Sequence, residues 1–121
     1  MERRFGLFVV AALATVEVLA AGCGNNRVKS NAELGLNEQQ AAGRAMFDHY
    51  CSPCHDAYST SGKKGPGLKG LFRKQYLPSG LPANDRFVRQ TISGGRGMMP
   101  EFGDALTPDQ MDALIAYLHT L

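Results

Sequence analysis

Tryptophan is absent from the 121-residue chain, and Phe and Tyr bring the aromatic fraction only to 8%. A core built on many large aromatic side chains is therefore not available. Cysteine is scarce and odd in number: three residues, which cannot all pair within one chain. In an exported protein the odd one needs another explanation. Net charge is low as well, at +2 from 13 basic and 11 acidic residues, unlike the strong basic excess of a generic nucleic-acid binder. The chain shows no internal repeat and no low-complexity tract. Its 44% hydrophobic and 20% charged residues are ordinary for a globular protein and unlike a disordered chain. The length allows one domain, or a targeting segment plus one smaller domain.

Arg3 and Arg4 precede an uncharged stretch from Phe5 to Val16, which Glu17 ends. A membrane span needs about 20 apolar residues, so this stretch is short for one. A basic start, a short apolar run and a small-residue exit describe a secretory signal, expected over residues 1–22. The exit reads Leu19-Ala20-Ala21-Gly22-Cys23. It resembles the lipobox of bacterial lipoproteins, with Ala20 where that pattern prefers Leu. The resemblance implies cleavage before Cys23 and lipidation of its thiol. Ordinary cleavage after Ala20, Ala21 or Gly22 is the alternative. Either way the expectation is export, to the periplasm or the outer face of a membrane, with Cys51 and Cys54 outside the reducing cytosol. Residues 23–36 are polar and aperiodic and read as a flexible tether. Residues 37–121 remain for the folded domain, near the size at which a core alone is marginal and a cofactor would help.

Within that domain Asn37 can cap a helix running to about Tyr50, with Gln40 placed for a capping box. Gly43, Met46, Phe47 and Tyr50 share one face of it. Glycine is costly in mid-helix and points to close packing at Gly43. Thr107-Pro108-Asp109-Gln110 is a second helix start, followed by an apolar stripe of Met111, Leu114, Ile115, Leu118 and Leu121. A shorter helix is expected from Asn84 to Ser93, stopped at Gly94-Gly95. Residues 57–83 hold five Gly and three Pro with little periodicity. So long a loop in so small a domain is expected to wrap something.

Cys51-Ser52-Pro53-Cys54-His55 is C-x-x-C-H, the c-type haem attachment pattern. Two thiols three residues apart at a helix end can reach the two vinyl groups of one haem and form thioethers. The adjacent His can present a ring nitrogen to the iron. A thioredoxin-like dithiol would need a βαβ context, and no strand precedes the motif. Zinc would need a fourth N or S ligand, for which His49, His119 and Cys23 remain, none at a recognisable zinc spacing. A second axial ligand can come from the loop Gly97-Met98-Met99-Pro100-Glu101-Phe102, because thioether sulfur is a soft ligand and raises the potential of the couple. Met46 and Met111 lie on apolar helical stripes and read as core.

These pieces together resemble the class I, mitochondrial-type cytochrome c family over about residues 37–121. Gly43, Phe47, Cys51, Cys54 and His55 match its first-helix pattern, and Gly65-Pro66-Gly67-Leu68 its Gly-Pro-x-Leu segment. Met99-Pro100 matches its Met-Pro motif, and Leu114-Ile115-Ala116-Tyr117-Leu118 looks like its last helix. The resemblance implies a small all-α fold of helices and loops around one covalent haem c on Cys51 and Cys54. It implies His55 and Met99 as axial iron ligands. The Pro66 carbonyl would orient His55, and Leu68 would press on the haem face. Gly43 and Phe47 would pack on Leu114 and Tyr117 where the first and last helices cross. Many family members hydrogen-bond a haem propionate with Trp. Here Tyr76, Arg73, Lys74 and Arg96 are the candidate substitutes. Tyr58 reads equally as a surface loop residue, and His49 and His119 as solvated helix positions.

The near-neutral total hides a division of charge. Residues 57–100 hold eight basic groups (Lys63, Lys64, Lys69, Arg73, Lys74, Arg86, Arg89, Arg96) against Asp85, whereas residues 101–121 hold four acidic groups and no Lys or Arg. Such a basic face could neutralise propionates or steer an acidic redox partner, or be simply a solvated surface. No aromatic platform accompanies it, which argues against nucleic acid. The expectation is an exported one-electron carrier rather than an enzyme. Its alternatives are a cytochrome subunit of one periplasmic dehydrogenase or oxidase complex, or a metal-binding or dithiol protein without haem.

Overall fold

The side chain of Asn37 opens the first helix by accepting from the Gln40 N–H at 2.8 Å, while the Asn37 N–H donates to the Gln40 side chain at 3.0 Å. These bonds satisfy donors that a helix start leaves free. Helix α1 (Glu38–Met46) then widens into a π-helical turn (Phe47–Cys51), in which the Ser52 N–H donates to the Phe47 carbonyl at 2.9 Å. The expected helix to about Tyr50 is present with its last turn widened. The structure, a computed structural model, describes residues 27–121. The expected signal peptide (1–22) and Cys23 lie outside the described residues.

Part of the stretch read as a tether is ordered. The Leu34 N–H donates to the Ser30 carbonyl at 3.1 Å and the Leu36 N–H to the Asn31 carbonyl at 3.0 Å. Leu36 packs against the core, and Asn31 accepts from the buried Arg44 guanidinium at 2.8 Å. Composition hides this, because the bonds come from the backbone and from one distant arginine.

Helix α2 (Asp85–Gly94) is capped by Asn84, which accepts from the Phe87 N–H at 3.1 Å. It ends at Gly95, whose φ of +66° is costly for any residue with a β-carbon. Helix α3 (Pro108–Leu118) starts with the expected box between Thr107 and Gln110. Its stripe of Met111, Leu114, Ile115, Leu118 and Leu121 is buried. Helix α1 packs chiefly on α3. At the crossing, a β-carbon on Gly43 would land on the Ala113 carbonyl. The Phe47 and Tyr117 rings meet beside it with centroids 5.6 Å apart, and both side chains, like Leu114, are almost fully buried. The expected packing of Gly43 and Phe47 on Leu114 and Tyr117 is what the structure holds.

Residues 57–83 form the long loop, with one 3-10 turn (Leu71–Arg73) and a bridge between Tyr76 and Pro82. Backbone bonds pin it: Leu68 N–H to the Asp56 carbonyl, Gly70 N–H to that of Leu121, and Leu77 N–H to that of Leu81. The architecture is all-α, as expected. Among the described residues, no helix is long and apolar enough to cross a membrane.

Candidate functional site

The C-x-x-C-H segment leaves the π-helical turn and curls at once. The Cys54 and His55 N–H groups both donate to the Cys51 carbonyl, at 3.0 and 2.8 Å. The curl brings Cys51, Cys54 and His55 to one cleft of about 360 Å³. The long loop supplies Leu68, Leu71 and Leu77 to its walls, and α2 supplies Val88 and Ile92. The loop therefore wraps a cavity, as its length implied.

Next to His55, the Gly65 N–H donates to the Cys54 carbonyl at 2.8 Å and brings Gly65 against the imidazole. A β-carbon on Gly65 would stand 2.8 Å from Nδ1 and 2.9 Å from Nε2 of His55. The imidazole Nδ1–H donates to the Pro66 carbonyl at 2.8 Å. That bond fixes the ring and leaves Nε2 as the nitrogen free to bind a metal.

Burial, and next the neighbouring Cys54, pushes the free Cys51 thiol up to about 11. A protonated thiol is a poor nucleophile, the reverse of the lowered pKa that a dithiol redox pair needs. Among the described residues no three His, Cys, Asp or Glu side chains gather as metal ligands. Neither His49 nor His119 lines the cleft beside the two thiols to complete a zinc site.

Facing this wall is the loop after α2. Arg96 and Met99 exchange two backbone bonds of 2.9 Å, closing a tight turn in which Gly97 has φ +57°. A β-carbon on Gly95 would stand 2.6 Å from the Met99 carbonyl, so only glycine allows so close a return. Both methionines line the cleft, but they differ in packing. Met99 is half-buried against the core, whereas Met98 is 88% exposed.

The chemistry of the lining fits a haem. One apolar hollow gathers two thiols, an imidazole with one nitrogen free, and two thioethers, of which only that of Met99 packs against the core, with Lys64 and Arg96 as its cations. Of the four candidate propionate partners, only Arg96 lines it. Arg73 donates to the Leu121 carbonyl at 2.9 Å and lines a different hollow; Lys74 lines neither, and Tyr76 is exposed. Lys64, expected only as one of the eight basic residues, also lines the cleft, and its place beside Gly65 is the sequence signal for it.

The eight basic residues do not gather at this mouth. Lys64 and Arg96 do, while Lys63, Lys69 and Arg73 line the second hollow. Arg89 is spent on Asp112 at 2.6 Å, and Arg86 lies over the Phe87 ring. His119 is more engaged than a solvated position, since it stacks on Phe72 and bonds Asp85 at 2.7 Å. His49 packs edge-on to Tyr50. Neither histidine lines the cleft. The hydroxyl of Tyr58, a half-exposed residue, lies 2.8 Å from that of the buried Tyr117, a pairing across 59 residues that no local pattern carries.

A family model described as cytochrome C oxidase, cbb3-type, subunit III matches residues 38–118. The chain is similar to the quinohemoprotein alcohol dehydrogenase ADH-IIG of Pseudomonas putida, 35% identical over 79 residues, 64% of this chain and 10% of that protein. It is similar to the cbb3-type cytochrome c oxidase subunit FixP of Azorhizobium caulinodans, 34% identical over 96 residues, 78% of this chain and 31% of that protein. The chain therefore spans only a tenth to a third of those two. It is also similar to a cytochrome c-553-like protein of Synechocystis, 31% identical over 88 residues, 73% of this chain and 74% of that one. With a cleft that fits the group and a match over most of its folded part, the chain belongs to the c-type cytochromes, in the family of the cbb3-type oxidase subunit III domain: electron-transfer proteins with covalently bound haem c.

Proposed function

We propose that the chain is a one-electron carrier of an exported respiratory or oxidative system, working between periplasmic or membrane redox partners. The observation that carries this reading is the shared cleft: two thiols and an imidazole on one wall, a half-buried thioether on the other. When bound, a haem supplies an iron that gains or loses one electron. The protein supplies ligation, orientation and exclusion of water.

In this reading Cys51 and Cys54 would hold the group by thioethers. His55 would offer Nε2 to the iron, its ring kept in place by the Pro66 carbonyl, and Leu68 would pack on the haem face. Met99 would offer its thioether sulfur as the second protein ligand. With both bound, no position would be left open for oxygen or peroxide, and the soft sulfur would raise the potential. Arg96 and Lys64 would offset the propionate charge. Partners with acidic surfaces meet the cleft mouth at these two cations.

A second reading has a specific support. The two larger relatives share only part of their length with this chain. Their names place such a domain in an alcohol dehydrogenase and in an oxidase subunit, so the chain can serve one dedicated enzyme complex as its cytochrome subunit.

Residues 1–22 act as a signal, and Cys23 carries a lipid that anchors the protein on the outer face of a membrane. Redox-difference spectroscopy of membrane and soluble fractions tests the whole reading. A c-type reduced band in the membrane fraction, with colour retained on a denaturing gel, is expected. A chain without a Soret band overturns the carrier, and colour confined to the soluble fraction overturns the anchor.

A further inference from the structure

A second hollow of about 710 Å³ adjoins the haem cleft, and His55 and Phe47 line both, forming the wall between them. Six cations line it: Arg27, Lys29, Arg44, Lys63, Lys69 and Arg73. Two carboxylates oppose them, and one of these, Asp48, already lies 3.7 Å from Arg44. Arg27 is paired with Glu33, and Arg73 with the Leu121 carbonyl. Lys29, Lys63 and Lys69 are exposed and enter no ion pair among the described residues. Such a concentration of unspent positive charge attracts an extended anionic surface rather than an apolar one.

The chain's own order says which surface. Arg27, Val28 and Lys29 line the hollow and follow Cys23 by only four to six residues. Four extended residues reach at most about 14 Å, close to the range of about 10 Å over which charges act at 0.1 M salt. Whatever holds Cys23 at a bilayer also holds this rim at its headgroups.

We propose that the basic hollow seats the phosphodiester headgroups of an anionic bilayer and sets the orientation of the domain. The Lys63 and Lys69 side is turned to the membrane, and the cleft with Met98 and Arg96 is left to redox partners. This rests on the membrane attachment proposed above. A basic patch adds the second signal that a single lipid chain needs for stable anchoring.

The test uses the full-chain holoprotein, reconstituted in vesicles of phosphatidylcholine alone or with phosphatidylglycerol. Lysines are labelled with a water-soluble amine reagent and quantified by peptide mass spectrometry, with Lys74, which lines neither cavity, as internal reference. Lys63 and Lys69 should be protected several-fold in the anionic vesicles, and high salt should remove the protection. Equal labelling in both vesicle types overturns the proposal. So does protection that arises only when an acidic redox protein is added. Flotation with the neutral vesicles reads the anchor separately, so loss of the anchor and loss of the headgroup seat are distinguishable.

Discussion

His55 and Gly65 touch: the imidazole lies so close to the Gly65 backbone that an added β-carbon would stand 2.8 Å from Nδ1. The same ring donates from Nδ1 to the Pro66 carbonyl at 2.8 Å. Gly65→Ala must therefore tilt the ring or move the loop, and either weakens that bond. A ring that loses its acceptor is a weaker donor to the iron and favours the ferric state less. The midpoint potential of Gly65→Ala holoprotein should rise, as potentiometry reads it, with a lower yield of haem-loaded protein.

Gly43 bears on stability rather than on the iron. Its β-carbon would meet the Ala113 backbone, which cannot swing aside as a side chain could. Gly43→Ala should cost at least about 2 kcal/mol and lower Tm by roughly 10 °C for a domain of this size. The spectrum of the folded fraction should be unchanged. An increase in Tm would contradict the close crossing of α1 and α3.

The Tyr58–Tyr117 pair gives a pH signature. Tyr117 is 1% exposed, and burial first, then its hydrogen bond with Tyr58, raises its pKa well above the ordinary value of about 10. Above pH 10 the unfolded chain gives up this proton while the folded one keeps it, so stability is intact below about pH 10 and falls as pH rises further. Tyr117→Phe should flatten that alkaline decline in a denaturation series. Tyr58→Phe strands a buried hydroxyl and should cost about 1–3 kcal/mol at neutral pH. The double variant should be less damaged than the two losses added together.

Met99 and Met98 are separable by packing. Met99→Ala should abolish the weak near-infrared sulfur–iron band of the oxidised protein and lower the midpoint potential, because a soft ligand favouring the ferrous ion is lost. Met98→Ala, at a side chain 88% exposed, should change neither.

Arg96 lines the cleft as one of its two cations. Positive charge there opposes the ferric state, so Arg96→Leu should lower the potential by on the order of 50 mV, the Coulomb scale for one nearby charge at an effective dielectric of about 20. An equal change in Arg89→Leu, whose side chain is paired with Asp112, would argue against a local effect.

What the sequence made legible was local or short in range. The caps at Asn37 and Thr107, the short helix beginning near Asn84, the stripe on α3 and the C-x-x-C-H turn all follow from residues within a few positions of each other, and the structure holds them, with Asn84 itself as the cap of α2. Gly43 was legible as a close approach because mid-helix glycine is costly, and the approach is to the Ala113 backbone. The crossing of Gly43 and Phe47 on Leu114 and Tyr117 was legible through the family motifs, but relations across the fold that no motif carries were not. Composition gathers the basic residues into one group, but folding divides them, Lys63 from Lys64 included, because neighbouring loop residues face different hollows. The Tyr58–Tyr117 bond and the Asn31–Arg44 bond join partners too far apart for any periodicity to show.

A single c-type haem held between His55 and Met99 should move one electron and bind nothing else. Spectroelectrochemical titration of the full-chain holoprotein measures this. One reversible one-electron step is expected, with a sulfur–iron band in the oxidised form and a reduced spectrum that carbon monoxide leaves unchanged. A reduced spectrum shifted by carbon monoxide, or a titration needing two haem centres, would contradict it.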